Sequence, residues 1–180
     1  MAEKPRIFQS TRDMVLTLAV LFGIMVVAVG ATGMCSFEPG RPENGPVREV
    51  DAATFLEMES ASQGIKLVNP QVPEGWTPNS ARRSAVGDEP AATIGYVTDH
   101  DGYLQITQTR ASIEQGAETE GRSLEETREI AGMPVAIYSA DDSDVRDVWA
   151  IDSAERRVFI TGAAEQDDWE ALVAGYAAVS

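Results

Sequence analysis

Apolar and polar positions divide the chain into two very different parts. From Met14 to Met34, "MVLTLAVLFGIMVVAVGATGM", 21 residues pass without a charge. As a helix at 1.5 Å per residue this run reaches roughly 30 Å, the thickness of a hydrocarbon core. Beyond it, apolar residues return only in short blocks. Asp51 opens a short helix as N-cap, with Val50 before it and Phe55 at the fourth helical position, and Gly64 suits its end. Strand-like blocks follow: "IKLV" (Ile65–Val68), a weak "ARRSAV" (Ala81–Val86), and the hairpin "TIGYVTDHDGYLQITQT" (Thr93–Thr109) with its turn at Asp99–Gly102. "ASIEQGAETEGRSLEETRE" is polar, with room for one short helix after Ala111. Three more strands are predicted at "PVAIYSA", "RDVWAI" and "RRVFITG", parted by the turn-like "DDSDV" and "DSAE". The last segment places Trp169, Leu172, Val173 and Tyr176 at i, i+3, i+4, i+7, an amphipathic helix with Glu165, Asp167 and Asp168 at its start.

The pattern predicts an α+β chain: one N-terminal transmembrane helix, then an antiparallel sheet of about five to seven strands flanked by N- and C-terminal helices. Its divisions are a cytoplasmic tail at 1–13, the membrane helix at 14–34, a Pro/Gly-rich linker at 35–49 and an extracytoplasmic domain at 50–180. Lys4, Arg6 and Arg12 precede the apolar run, and Ser36, Phe37 and Glu38 follow it. The positive-inside bias then puts the N-terminus in the cytoplasm and the domain outside, in the cell membrane of a single-pass protein. Extended, twelve residues of "SFEPGRPENGPV" reach roughly 37 Å, far enough for the domain to stand off the bilayer.

Two other fates compete with a retained anchor. Cys35, the single cysteine, is placed as a lipid acceptor would be, but Met34 and Thr32 fit a lipoprotein box poorly. "ATG" before it offers a cleavage site, while the apolar run is long for a signal core. A retained helix has a readable face. At about 100° per residue, Ala19, Gly23, Gly30 and Gly33 fall in one stripe roughly 80° wide. Small residues on one face let helices approach closely in lipid. The alternative is that glycine is simply frequent in membrane helices.

Charge sharpens the contrast. The net charge is −15. Residues 1–35 carry three basic and two acidic residues; the other eleven basic and 27 acidic ones leave −16 on the rest. Such a domain repels nucleic acid and anionic membrane surfaces and suits a cationic protein surface. One cysteine excludes an internal disulfide, and one cysteine with one histidine excludes the usual zinc sites.

No constellation for catalysis, metal or cofactor stands out. His100 lies in a turn with no G-x-S-x-G serine anywhere. Asp99–Gly102 begins like a calcium loop, but the positions that need Gly and Glu hold Leu104 and Arg110. Asp141, Asp142, Asp144 and Asp147 read as a solvated turn, or as a weak calcium site. Phosphate, dinucleotide and haem motifs are lacking. Trp76 in "PEGWTP" reads either as the closure of a core or as a partner contact; Trp149 and Trp169 read as core.

Several stretches carry a resemblance: "RDMVLTLAVL", "PEGWTPNS", "IGYVTDHDGYLQITQ" and "VFITGAAEQDDWEALVAGYAA". From about Arg12 to the end the chain resembles a group of actinobacterial membrane proteins with the domain of unknown function catalogued as 4245. The resemblance implies one span and an exported domain, and it brings no reaction. The plan also looks somewhat like the Mog1/PsbP-type sandwiches, which often serve as accessory or assembly factors. The expectation is a non-catalytic accessory or assembly subunit of a larger membrane complex, bound through its helix, with a respiratory-chain assembly as one host. The competing expectation is a module that holds a lipid or cell-envelope ligand between sheet and helix.

Overall fold

The computed structural model describes the backbone of residues 11–31, the side chains of 13–28, and all of 49–180. The chain divides into two units, Met1–Gly45 and Pro46–Ser180.

In the first unit α1 runs over Thr11–Ala31. It starts three residues before the apolar run, and Thr17 Oγ1 donates back to the carbonyl of Asp13 at 2.6 Å. Its large side chains from Met14 to Val27 are 54–70% exposed, so the helix is apolar on every side. Among the described residues no helix is long and apolar enough to cross a membrane. The part of α1 with described side chains reaches about 24 Å at 1.5 Å per residue. Gly33, Met34 and Cys35 lie outside the described residues, as does most of the 35–49 linker.

The second unit is α+β. Helix α2 (Ala52–Gln63) starts where Asp51 accepts from the Thr54 amide at 2.9 Å and the Thr54 hydroxyl at 2.7 Å. It stops at Gly64, whose φ of 66° is the left-handed conformation a Cβ disfavours. Seven strands follow: β1 (Thr77–Val86), β2 (Glu89–Val97), β3 (Tyr103–Thr109), then, after a short α3 (Ile113–Gly116), β4 (Ser123–Ile130), β5 (Met133–Ser139), β6 (Val148–Asp152) and β7 (Arg157–Ala163). Helix α4 (Gln166–Ala177) ends the chain. The strands form one sheet in the order β1-β2-β3-β7-β6-β5-β4, with every neighbouring pair antiparallel. Two meanders therefore meet at the centre, where Ile106 of β3 faces Ile160 of β7.

The period of two along each strand sorts residues between faces. One face carries Ile94, Leu104, Ile106, Val135, Val158 and Ile160, all fully buried under α2, the 65–73 segment and α4. The opposite face has a smaller cluster, Tyr138, Val148, Ala150 and Phe159, with Ile113 of α3 packed against it.

Three expectations differ from the structure. "IKLV" joins no ladder; the buried Gln108 side chain takes the place of a strand, accepting from the Val68 amide at 3.0 Å and donating to its carbonyl at 2.7 Å. Strand β1 begins at Thr77, four residues before the predicted block, with an irregularity at Pro78/Ser80. Strand β4 was not predicted at all: "SLEETREI" is an edge strand exposed along most of its length, so neither face needs apolar residues. Its turn into β5 is Ala131-Gly132, with φ of 51° and 80°.

Candidate functional site

The predicted hairpin forms as β2 and β3, and its tip is tightly built. The Thr98 amide donates to the Gly102 carbonyl at 2.9 Å, and the Gly102 amide donates to Thr98 Oγ1 at 3.0 Å. Asp101 takes the left-handed conformation at φ 59°, which aspartate tolerates better than most side chains. Asp99 and His100 are presented outward, with Asp99 Oδ1 3.1 Å from His100 Nδ1.

Two other segments press on this tip. A Cβ at Gly75 would lie 3.2 Å from the Asp99 Cβ, and one at Gly102 would lie 2.9 Å from the Ala164 Cβ. The turn before Trp76 and the entry to α4 therefore both abut the hairpin. That entry brings in Asp168, in the first turn of α4. Asp168 is only 7% exposed, and its Oδ2 has no hydrogen-bond partner. One ligand atom each from Asp99, His100 and Asp168 lie within 4.8 Å of one another. The sequence marked His100 and Asp99 as turn residues and Asp168 as a helix-start acid. It held no signal that the register of α4 turns Asp168 inward toward them.

A recess of about 530 Å³ opens elsewhere on the domain, lined by Glu125, Glu126, Arg128, Arg146, Trp149 and Trp169 among others. The two indoles are a tilted pair with centroids 5.1 Å apart, and both are buried. The aspartate cluster expected as a solvated turn lies at its rim: Asp142 and Asp147 line the recess, and Asp142 Oδ1 accepts from the Asp144 amide at 2.9 Å. The recess offers carboxylates, two guanidiniums and a wall formed by the buried indole pair.

Of the residues singled out from sequence, Trp76 belongs to the core cluster, 7% exposed, with its ring 6.4 Å from that of Tyr96. The Tyr96 hydroxyl donates to Asn69 Oδ1 at 3.1 Å, and burial pushes its phenol well above the ordinary range. Ala19 and Gly23 lie in α1. A Cβ at Gly23 would meet nothing within 4 Å. The backbone of Gly30 continues α1, while Gly33 is outside the described residues.

Fold and composition define an acidic α+β domain: one seven-stranded antiparallel sheet with two helices over one face. The chain belongs to the family described as Protein of unknown function (DUF4245), whose model matches residues 6–176. That match carries the resemblance seen from Arg12 onward. No curated protein and no solved structure matches the chain.

Proposed function

We propose that this protein is a non-catalytic, membrane-anchored accessory or assembly subunit of a larger membrane protein complex. The N-terminus lies in the cytoplasm and the acidic domain outside. The observation that carries the reading is α1, whose apolar side chains from Met14 to Val27 all stand exposed. A helix apolar on every side is stable where its surroundings are apolar too. The whole uncharged run to Met34 supplies the length for a span. The open surface at Gly23 suits close approach of a second helix along the Ala19, Gly23, Gly30 and Gly33 stripe. Outside the membrane, a domain with 24 acidic residues favours a basic partner surface, and a respiratory-chain assembly is one host that offers such surfaces. The seven-stranded sheet with its flanking helices fits the Mog1/PsbP-like plan of accessory factors. That last support is analogy of fold alone.

The alternative, a module holding a lipid or envelope ligand between sheet and helix, has less behind it. Leu104, Ile106, Val158, Ile160, Leu172, Val173 and Tyr176 fill that layer with no exposed surface.

The test is extraction of the full chain. The protein should stay in the membrane through an alkaline wash and leave it in mild detergent with a stoichiometric companion. Gly23→Leu and Gly30→Leu should each lower recovery of that companion severalfold. Release by the alkaline wash, or recovery as a lone monomer, would remove the proposal.

A further inference from the structure

We propose that Asp99, His100 and Asp168 form a binding site for one divalent first-row transition ion, for which Zn²⁺ is the natural probe. The argument begins with Asp168. A carboxylate that is 7% exposed, with one oxygen lacking any hydrogen-bond partner, is costly unless something else meets that oxygen. Asp168 is also the one acid of its turn turned inward; Asp167 beside it is exposed. What stands opposite is the only histidine of the chain and a second carboxylate, with one donor atom from each of the three within 4.8 Å of the others.

The donor set selects the ion. An imidazole nitrogen with two carboxylate oxygens suits zinc and its first-row neighbours, whereas calcium takes oxygen donors in larger number. In a tetrahedral site with bonds of about 2.0–2.1 Å, neighbouring ligand atoms lie roughly 3.3 Å apart. Asp99 Oδ1 and His100 Nδ1, at 3.1 Å, are already at that spacing. Closing on Asp168 then asks for at most about 1.5 Å of movement. Asp99 and His100 can supply it, since their side chains are 46% and 62% exposed. The tip that carries them is fixed by the two Thr98–Gly102 hydrogen bonds, so the backbone is organised beforehand. Three protein ligands leave a position for water or for a group from a partner. Bound there, the ion ties the β2–β3 hairpin to the start of α4.

The competing explanation is an ordinary charge contact, with a protonated His100 between two carboxylates. Metal titration separates the two. The untagged full chain in detergent, stripped with chelator, is titrated with Zn²⁺ in the presence of millimolar Ca²⁺. We expect one Zn²⁺ bound per chain with micromolar affinity, and a rise in Tm of about 5–10 °C at a hundredfold excess over Kd. His100→Ala and Asp168→Asn should each weaken binding at least tenfold, while Cys35→Ser leaves it unchanged. Asp168→Asn keeps the shape of the buried side chain. Should it still fail to fold, His100→Ala decides, because that side chain is exposed. Absence of stoichiometric Zn²⁺ uptake, equal uptake in His100→Ala, or displacement by Ca²⁺ would each overturn the proposal.

Discussion

The two faces of the sheet are built from the same strands and solve different problems. On β2, β3 and β7, Ile94, Ile106 and Ile160 point to the face under α2 and α4. Their neighbours Thr93, Thr107 and Thr161 alternate to the other. There Ser84, Thr93 and Thr107 share hydroxyl hydrogen bonds of 2.8 and 2.9 Å, and Gln105 Nε2 donates to Thr161 Oγ1 at 2.7 Å. Threonine and isoleucine are both β-branched and suit strands equally well. What separates them is cover. The first face lies under two twelve-residue helices and the 65–73 segment. The second has only the four residues of α3, whose Gly116 sits so close to the Phe159 ring that a Cβ would enter it. Hydrophobic burial concentrates where there is something to bury against, and propensity follows.

Truncation under the helices should hurt most. Leu172 of α4 is fully buried in the larger cluster. Leu172→Ala removes its burial and leaves a cavity, at a cost of about 3–4 kcal/mol and a Tm lower by about 10 °C in thermal melts. A loss below about 1 kcal/mol would mean that α4 repacks freely and the contrast between faces is shallow.

The second effect concerns a polar residue on the apolar face. Gln108 is fully buried and holds the 65–73 segment by both Val68 backbone groups. Gln108→Leu keeps most of the volume but strands a buried amide and a buried carbonyl. The expected loss is about 2–3 kcal/mol by chemical denaturation. Hydrogen exchange at the Val68 amide should rise far more than at Ile106 in the same variant. Uniform exchange would show that the side-chain clamp adds nothing local.

These residues also mark how far the sequence was legible. The Asp51 cap, the Asp99–Gly102 turn, strands β5 to β7 and the face of α4 could be read because each is a local pattern. Strand β4 could not, since "SLEETREI" has no buried face to impose alternation. The 65–68 block reads as a strand from its apolar residues, yet its backbone hydrogen bonds go to the side chains of Ser60, Gln108 and Arg156 rather than to a ladder. The 99/100/168 cluster was half visible for the same reason. Turn chemistry showed Asp99 and His100, but only the docking of α4 on the sheet selects Asp168 over Asp167. Local sequence encodes periodicity and caps; it does not encode which distant element arrives opposite.

A smaller effect tests the seam between cover and sheet edge. Glu59 lies on the inward side of α2, 4% exposed. Arg83 of β1 donates to it from Nε at 2.9 and 3.1 Å and from Nη2 at 2.5 Å. The Arg83 hydrogen bonds hold the Glu59 carboxyl below its ordinary value of 4.5, with burial opposing them. The unfolded chain therefore binds this proton more readily than the folded one. The stability from the pair is fully present above the ordinary value and is lost as pH falls through the lowered one. Melts of the wild type and Glu59→Gln should differ by a few degrees at pH 7 and converge as the solution is acidified toward pH ~3. A constant gap across that range would mean that Glu59 acts through packing alone.

The smallest effect is expected on the hydroxyl face, and it cuts most directly at the comparison. Thr93 sits between Ser84 and Thr107, and Thr93→Val deletes the shared hydroxyl while keeping the β-branched shape. Ser84 and Thr107 are only half-buried, so both hydroxyls can turn to water once Thr93 no longer meets them. The gain in apolar contact is small, because no helix packs on β2 from that side as α2 does on the other. Thr93→Val should therefore change stability by less than about 1 kcal/mol in denaturant titrations. A loss of 2 kcal/mol or more would show that the hydroxyl row is a desolvated network. The open face would then be held by hydrogen bonds as firmly as the covered face is held by burial.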